Sequence, residues 1–262
     1  MNLILKEVKS NVKSIFFWSL GLSVLIMGTF SKMAAIGDQN ISIEELLAGF
    51  PPVLMKVFGF SDVPFDSGEG LFVLTLNYLL IGLLIHAAML GARTMTKEEE
   101  DNTAEFLFLK PISRTSIFVK KIISNFIVLF IIDITLFFVT AASVLGFTNE
   151  TNVMYLIKYF IIMYILQLFV LAIGNLLGNT VSNKAGLFSA LFGLILYLFN
   201  IVIALLEEPG IFEFLSPLSI LSGENIYNGD INYLYLNGLF LMIIIIFMVS
   251  CNFMKKKDIK MI

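Results

Sequence analysis

The sequence predicts an all-α integral membrane protein with six transmembrane helices and both termini in the cytoplasm. It also predicts an amphipathic interfacial helix at the N-terminus, a short cytoplasmic helix between spans two and three, and a re-entrant external hairpin between spans five and six. Three observations carry this reading. The chain is 58% hydrophobic and only 14% charged, with a mean hydropathy of +0.92; soluble domains run near 45–50% and about 25%. Six stretches reach the roughly 20 apolar residues needed to cross about 30 Å of hydrocarbon. The basic residues gather on one side of those stretches.

The first element is Met1–Lys13, MNLILKEVKSNVK. Helical spacing puts Leu5, Val8 and Val12 on one face, away from Lys6, Lys9 and Lys13, as in a helix lying on the inner leaflet. The apolar run from Ile15 exceeds the 7–15 residues of a signal-peptide core, so cleavage is not expected. The spans follow at about 15–36, 71–92, 122–147, 153–177, 185–206 and 233–254. Runs such as Met242–Val249, MIIIIFMV, do not alternate apolar and polar residues, which excludes a membrane barrel. The spans take up about half of residues 1–262, so we read a single transmembrane domain.

Orientation follows from charge. Lys6, Lys9, Lys13, Arg93, Lys97, Lys110, Arg114, Lys120, Lys121, Lys184, Lys255, Lys256, Lys257 and Lys260 fall on one side, leaving Lys32, Lys56 and Lys158 on the other. Basic residues near span ends stay in the cytoplasm, so both termini are expected inside. Outside, Gly37–Gly70 contains a helical candidate at Ile43–Ala48 and a second started by Pro51-Pro52. Asn149–Asn152 is a short external turn, and Gly178–Lys184 a short internal one. Glu207–Asn232 has an apolar centre broken by Pro209, Pro217 and Gly223 and is too short to span. A hairpin dipping into the outer leaflet is the expectation, tolerated where protein or water meets its backbone groups.

The densest charged stretch between spans is Arg93–Lys121, RTMTKEEEDNTAEFLFLKPISRTSIFVKK. Its acidic start predicts a short helix over Lys97–Leu109, because negative charge on a first turn complements the helix dipole. Lys110-Pro111 would stop that helix. Ser113 or Thr115 would cap the next, which becomes the third span. An ordinary solvated loop is the plainer alternative.

This segment, entering the third span from the second, resembles the coupling segment of type-2 ABC exporter permeases. Glu98, Glu99, Thr103, Glu105, Pro111, Ser113, Arg114 and Lys120 match the charged K-E-E, short helix and Pro-[IL]-S-R pattern. The order of a surface helix, six spans and an interrupted segment before the last extends the resemblance over the chain. It implies two permeases, identical or paralogous, forming one pathway. Each is clasped by an ABC-type ATPase subunit, two copies in all, that receives the coupling helix in a groove. The coupling residues would then be Lys97, Glu98, Glu99, Thr103, Glu105, Phe106, Leu107, Leu109, Pro111, Ser113 and Arg114. The implied cargo is hydrophobic or amphipathic: a peptide antibiotic, bacteriocin, peptide toxin or lipid-like compound leaving a bacterial cell. ATP and Mg would be bound by the partner, with no cofactor on this chain.

The residues agree with that division of labour. No G-x-x-x-x-G-K-[ST] stretch occurs; GNLLGNT at Gly174–Thr180 lacks the lysine. Paired carboxylates and histidine clusters are absent from the spans, so no catalysis is expected. The single cysteine, Cys251, excludes an intrachain disulfide and a cysteine metal site. Nothing points to nucleic acid; membrane lipid is the expected surroundings. Asp133, deep in the third span, should face protein or water, with Asn77 or Tyr78 of the second span as its partner. It marks either a substrate pathway or an interhelical hydrogen bond. His86, the sole histidine, reads as a packed polar contact rather than a proton relay. Asn200 and Gln167 read as interhelical hydrogen-bond partners, and Lys158 as a snorkelling lysine. Gly174 and Gly178 form a G-x-x-x-G that permits close helix contact. The competing function is a stand-alone secondary transporter, channel or membrane immunity protein, which would need several buried charges or paired broken helices.

Overall fold

The computed structural model describes residues 3–37, 51, 68–101, 112–147, 153–181, 184–206, 210–220 and 223–256; among them the regular elements are all helices. They run α1 (Leu3–Ser10), α2 (Val12–Gly37), α3 (Gly68–Glu100), α4 (Arg114–Phe147), α5 (Val153–Thr180) and α6 (Ala185–Leu205). Then come three short pieces, α7 (Ile211–Leu215), α8 (Pro217–Ile220) and α9 (Gly223–Asn228), and finally α10 (Tyr233–Lys256). The external candidates at Ile43–Ala48 and from Pro52 onward, the Asn149–Asn152 turn and the basic tail beyond Lys256 lie outside the described residues.

Five helices, α2, α4, α5, α6 and α10, are long and apolar enough to cross a membrane. In α3 the apolar part is shorter, Tyr78–Thr94. The reason is its position. It packs against α2, α4, α5 and α6, so much of its surface meets protein instead of lipid. Polar Thr75, His86, Thr94 and Thr96 are buried there. A helix enclosed by its neighbours has less need of a continuous apolar surface.

The most enclosed helix is α5. Its sequence is apolar all round, the pattern of a buried helix, and Tyr155, Leu156, Phe160, Met163, Leu166 and Val170 are all buried. The interface of α3 with α5 is the most extensive in the molecule. Beside it, α6 packs on α3, α10 on α5, and α2 on α4. Near the start of α3, Phe72 stacks on Phe160 at 5.9 Å and meets Tyr159 edge-on at 5.2 Å. Phe137 of α4 joins them, edge-on to Phe160 at 5.5 Å.

The two longest helices, α3 and α4, exceed the length of a membrane crossing by the widest margin. At 1.5 Å per residue, the 33 residues of α3 and the 34 of α4 extend about 50 Å each, against about 30 Å of hydrocarbon. The α4 overrun begins at Arg114, eight residues before the predicted span. The Ser113 hydroxyl accepts from the Ser116 amide at 3.2 Å, the N-cap expected there.

The segment between α6 and α10 folds back onto the bundle. Leu218 of α8 and Ile226 of α9 are buried in the core. Ser216 donates to Asn200 Oδ1 at 3.5 Å, and the Tyr235 hydroxyl donates to the Phe214 carbonyl at 3.0 Å. Pro217 opens α8, where its missing amide costs nothing. Gly229 closes α9 in the left-handed region at φ 81°. Meanwhile Ile211, Phe212, Phe214 and Leu215 stay exposed as an apolar crown.

The first helix departs from a simple surface helix. It breaks from α2 only at Asn11, whose amide and side chain both bond the Glu7 carbonyl. Leu5 and Val12 are exposed, while Glu7 is buried and α1 rests against α4. The buried carboxylate of Glu7 has a cationic partner on α3, Lys97.

Candidate functional site

The ends of α3 and α4 that flank residues 102–111 are joined by a polar network, built from two helical i,i+4 pairs facing each other. Thr94 and Glu98 lie on one face of α3; Lys121 and Asn125 lie on one face of α4. Lys121 is only 2% exposed, donates to the Thr94 carbonyl at 2.6 Å and makes a short, buried ion pair with Glu98. Asn125 Nδ2 donates to Thr94 Oγ1 at 2.7 Å, and that hydroxyl donates to the Leu90 carbonyl at 3.1 Å. Such a pair is stable because Thr94 shares the lysine's donors and the charge is not left alone.

Lys97, one residue before Glu98, reaches the other way. Its Nζ donates to Ser10 Oγ at 2.8 Å and lies 3.6 Å from Glu7 Oε2. The last turn of α3 is thereby tied to α1 by Lys97 and to α4 by Glu98. At the same end, Arg114 Nη1 donates to the Lys255 carbonyl of α10 at 3.3 Å.

A second polar cluster lies nearby. Ser250 of α10 donates to Asn175 Oδ1 at 2.6 Å, and Asn179 Nδ2 donates to Ser250 Oγ at 2.8 Å. Asn175 Nδ2 also donates to the Gly91 carbonyl at 3.4 Å. Close approach of α3 and α5 makes this reachable. A Cβ added at Gly91 would overlap the Leu171 carbonyl oxygen; at Gly174, that of Ala88; at Gly178, that of Ala92. The G-x-x-x-G of α5 is thus a close contact, with Gly91 opposing it from α3.

Between α1, α2, α3 and α4 lies a cavity of about 280 Å³, with Lys13, Trp18, His86, Arg93 and Lys97 in its lining. His86 Nε2 pairs with Ser14 Oγ at 3.2 Å, and its ring lies 5.1 Å from that of Trp18. Its Nδ1 has no hydrogen-bond partner.

Asp133 is 5% exposed and accepts from Gln167 Nε2 of α5 at 2.8 Å on both carboxylate oxygens. Gln167 is thus a partner of Asp133 across the α4–α5 interface. Tyr78 is exposed, and the Asn77 side chain lies outside the described residues. Equal depth on two spans fixes height but not direction, and Asp133 points toward α5. It also borders an apolar groove of about 400 Å³ between α4 and α5, among Phe130, Phe137, Phe160 and Tyr164.

Of the predicted coupling residues, Lys97, Glu98 and Glu99 belong to the last turn of α3, which corrects the expected helix start at Lys97. The carboxylates of Glu98 and Glu99 sit at the negative end of a helix dipole, an arrangement unfavourable by about 0.3–1 kcal/mol per group. The cations Lys97 and Lys121 offset it. Ser113 caps α4 and Arg114 opens it. Thr103, Glu105, Phe106, Leu107, Leu109 and Pro111 lie outside the described residues. Lys121, Thr94 and Asn125 were not singled out as site residues, although the i,i+4 spacing of both pairs was visible. Among the described residues no cluster of histidine, cysteine, aspartate or glutamate could hold a metal ion.

A family model described as "ABC-2 family transporter protein" matches residues 1–249, nearly the whole chain. A comparison with curated proteins finds no match. The chain belongs to the ABC-2 transporter family.

Proposed function

Proceeding from that membership, which makes the chain a multi-pass membrane transport component rather than a catalyst, we propose that it is an exporter permease driven by a separate ABC ATPase. Two permeases, identical or paralogous, form the pathway, and two ATPase subunits carry ATP and Mg. Six spans with both termini in the cytoplasm of a bacterial cell give the topology, with α3 as the second span. Residues 102–111 then form the surface the ATPase grips, with Phe106, Leu107 and Leu109 filling its groove. The cargo is hydrophobic or amphipathic, in keeping with twenty-six phenylalanines.

The observation that supports this reading is the double anchoring of the loop. Force on residues 102–111 reaches α3 at Lys97 and Glu98, and reaches α4 through its capped start and Lys121. A buried ion pair between the two flanks makes them move together. The wide gathering of cations at that end agrees with a cytoplasmic position.

The test is to replace Phe106 and Leu109 with Asp and measure co-purification of the ABC ATPase that partners this chain. Recovery and transport should both fall. Unchanged recovery with unchanged transport overturns the docking surface, and cargo flux that survives ATP depletion overturns the class.

A further inference from the structure

We propose that the cavity between α1, α2, α3 and α4 binds the phosphate of an anionic phospholipid headgroup from the adjacent leaflet, and that the bound lipid holds α1 against the spans. Charge is the first argument. Lys13, Arg93 and Lys97 line the cavity against the single carboxylate of Glu7. Glu7 is already engaged by Lys97. Among the described residues, Lys13 and Arg93 form no ion pair, so two cations remain for an anion. Basic pockets between spans at the cytoplasmic side are headgroup sites by the same electrostatics.

An unsatisfied donor or acceptor is the second argument. His86 is only 3% exposed and lines the cavity, yet its Nδ1 has no hydrogen-bond partner. A buried polar atom without a partner is costly, and a headgroup phosphate or glycerol hydroxyl in the cavity would supply one. Neither argument depends on which cargo is carried.

The third argument selects a lipid over a free anion. Lys13 stands at the top of a helical stripe that continues through Phe16, Phe17, Leu20, Val24 and Met27, spaced at i, i+3, i+4, i+7, i+11 and i+14. All five apolar members are exposed. The cavity's cation therefore heads an apolar lane running down the first span, where acyl chains of a lipid anchored by its phosphate can lie.

The test uses the full chain, delipidated in dodecyl maltoside, whose neutral micelle carries no surface potential of its own. Phosphatidylglycerol, phosphatidylcholine and inorganic phosphate are added separately; thermal unfolding and lipid retained in native mass spectra are read. Phosphatidylglycerol should raise the melting temperature and remain as a single adduct, while phosphatidylcholine and phosphate should not. The Lys13→Gln/Arg93→Gln pair should weaken retention roughly thirtyfold and abolish the shift. Arg93→Lys should keep most of it, and Lys255→Gln/Lys256→Gln, which removes the same charge elsewhere at that end, should leave it intact. Equal stabilisation by phosphatidylcholine, a full shift with phosphate alone, or an equal loss in the Lys255/Lys256 pair would each overturn the proposal. If the Lys13/Arg93 pair unfolds, Arg93→Gln alone, with its melting point checked in phosphatidylcholine, decides it. The chain is tested without any ATPase, so failure here leaves the proposed function standing.

Discussion

Lys121 is the residue on which the inner network turns. Replacing it with Met leaves the Glu98 carboxylate buried among α3 and α4 with its cation removed. Breaking one side of a buried pair costs about 3–5 kcal/mol, so Lys121→Met should melt well below the wild type in detergent. Lys121→Met/Glu98→Gln should recover most of that loss, because the lone buried charge is gone. If the double variant melts as low as the single one, the Thr94 contact carries the stability and the ion pair does not. Asp133 behaves differently. Gln167→Leu removes the amide that serves both carboxylate oxygens and should cost about 1–3 kcal/mol. Asp133→Asn keeps a polar partner for Gln167 and should stay within the roughly 0.6–1.7 kcal/mol measured for interhelical hydrogen bonds. Thermal unfolding of the two variants side by side checks the order.

Helices α3 and α5 supply the test at the next scale. Gly174→Val would drive a side chain into the Ala88 carbonyl, where backbone cannot yield without separating the helices. The variant should lose most of its monodisperse fraction in size-exclusion chromatography. Gly186→Ala in α6, which meets nothing within 4 Å, should elute as the wild type does. This contact could be read in advance from Gly174 and Gly178, since small residues four apart declare a close helix face. Five helices long and apolar enough to span were readable for the same kind of reason: long apolar runs have one solution in a membrane. The partner of Asp133 was not readable, because a depth along one helix says nothing about which neighbour lies beside it. Nor was the burial of Lys121, since a lysine near a span end reads as a solvated anchor until the facing helix brings Glu98. The length of α3 past Ala92 is hidden in the sequence, because Lys97–Glu100 has the acidic pattern of a first turn, while Lys97 and Lys121 make the same residues acceptable as a last turn.

For the molecule as a whole, the arrangement of ends is the checkable property. The end of α1, the end of α3, the start of α4 and the end of α10 meet through Lys97–Ser10, Lys121–Thr94 and Arg114–Lys255. They must share one side of the membrane. With Cys251→Ser as background, Ser113→Cys at an exposed position should react with a membrane-impermeant maleimide only in inside-out vesicles or after permeabilisation. Labelling of intact cells at Ser113→Cys would invert the topology and remove residues 102–111 from the ATPase.

The glycine contacts of α3 and α5 also limit how such a transporter can move. Gly91 sits under the Leu171 carbonyl, and Gly174 and Gly178 sit under those of Ala88 and Ala92. A one-turn slip would bring larger side chains to that notch and jam it. A rocking stroke that keeps these contacts would have to move the two helices as one beam and hinge around them.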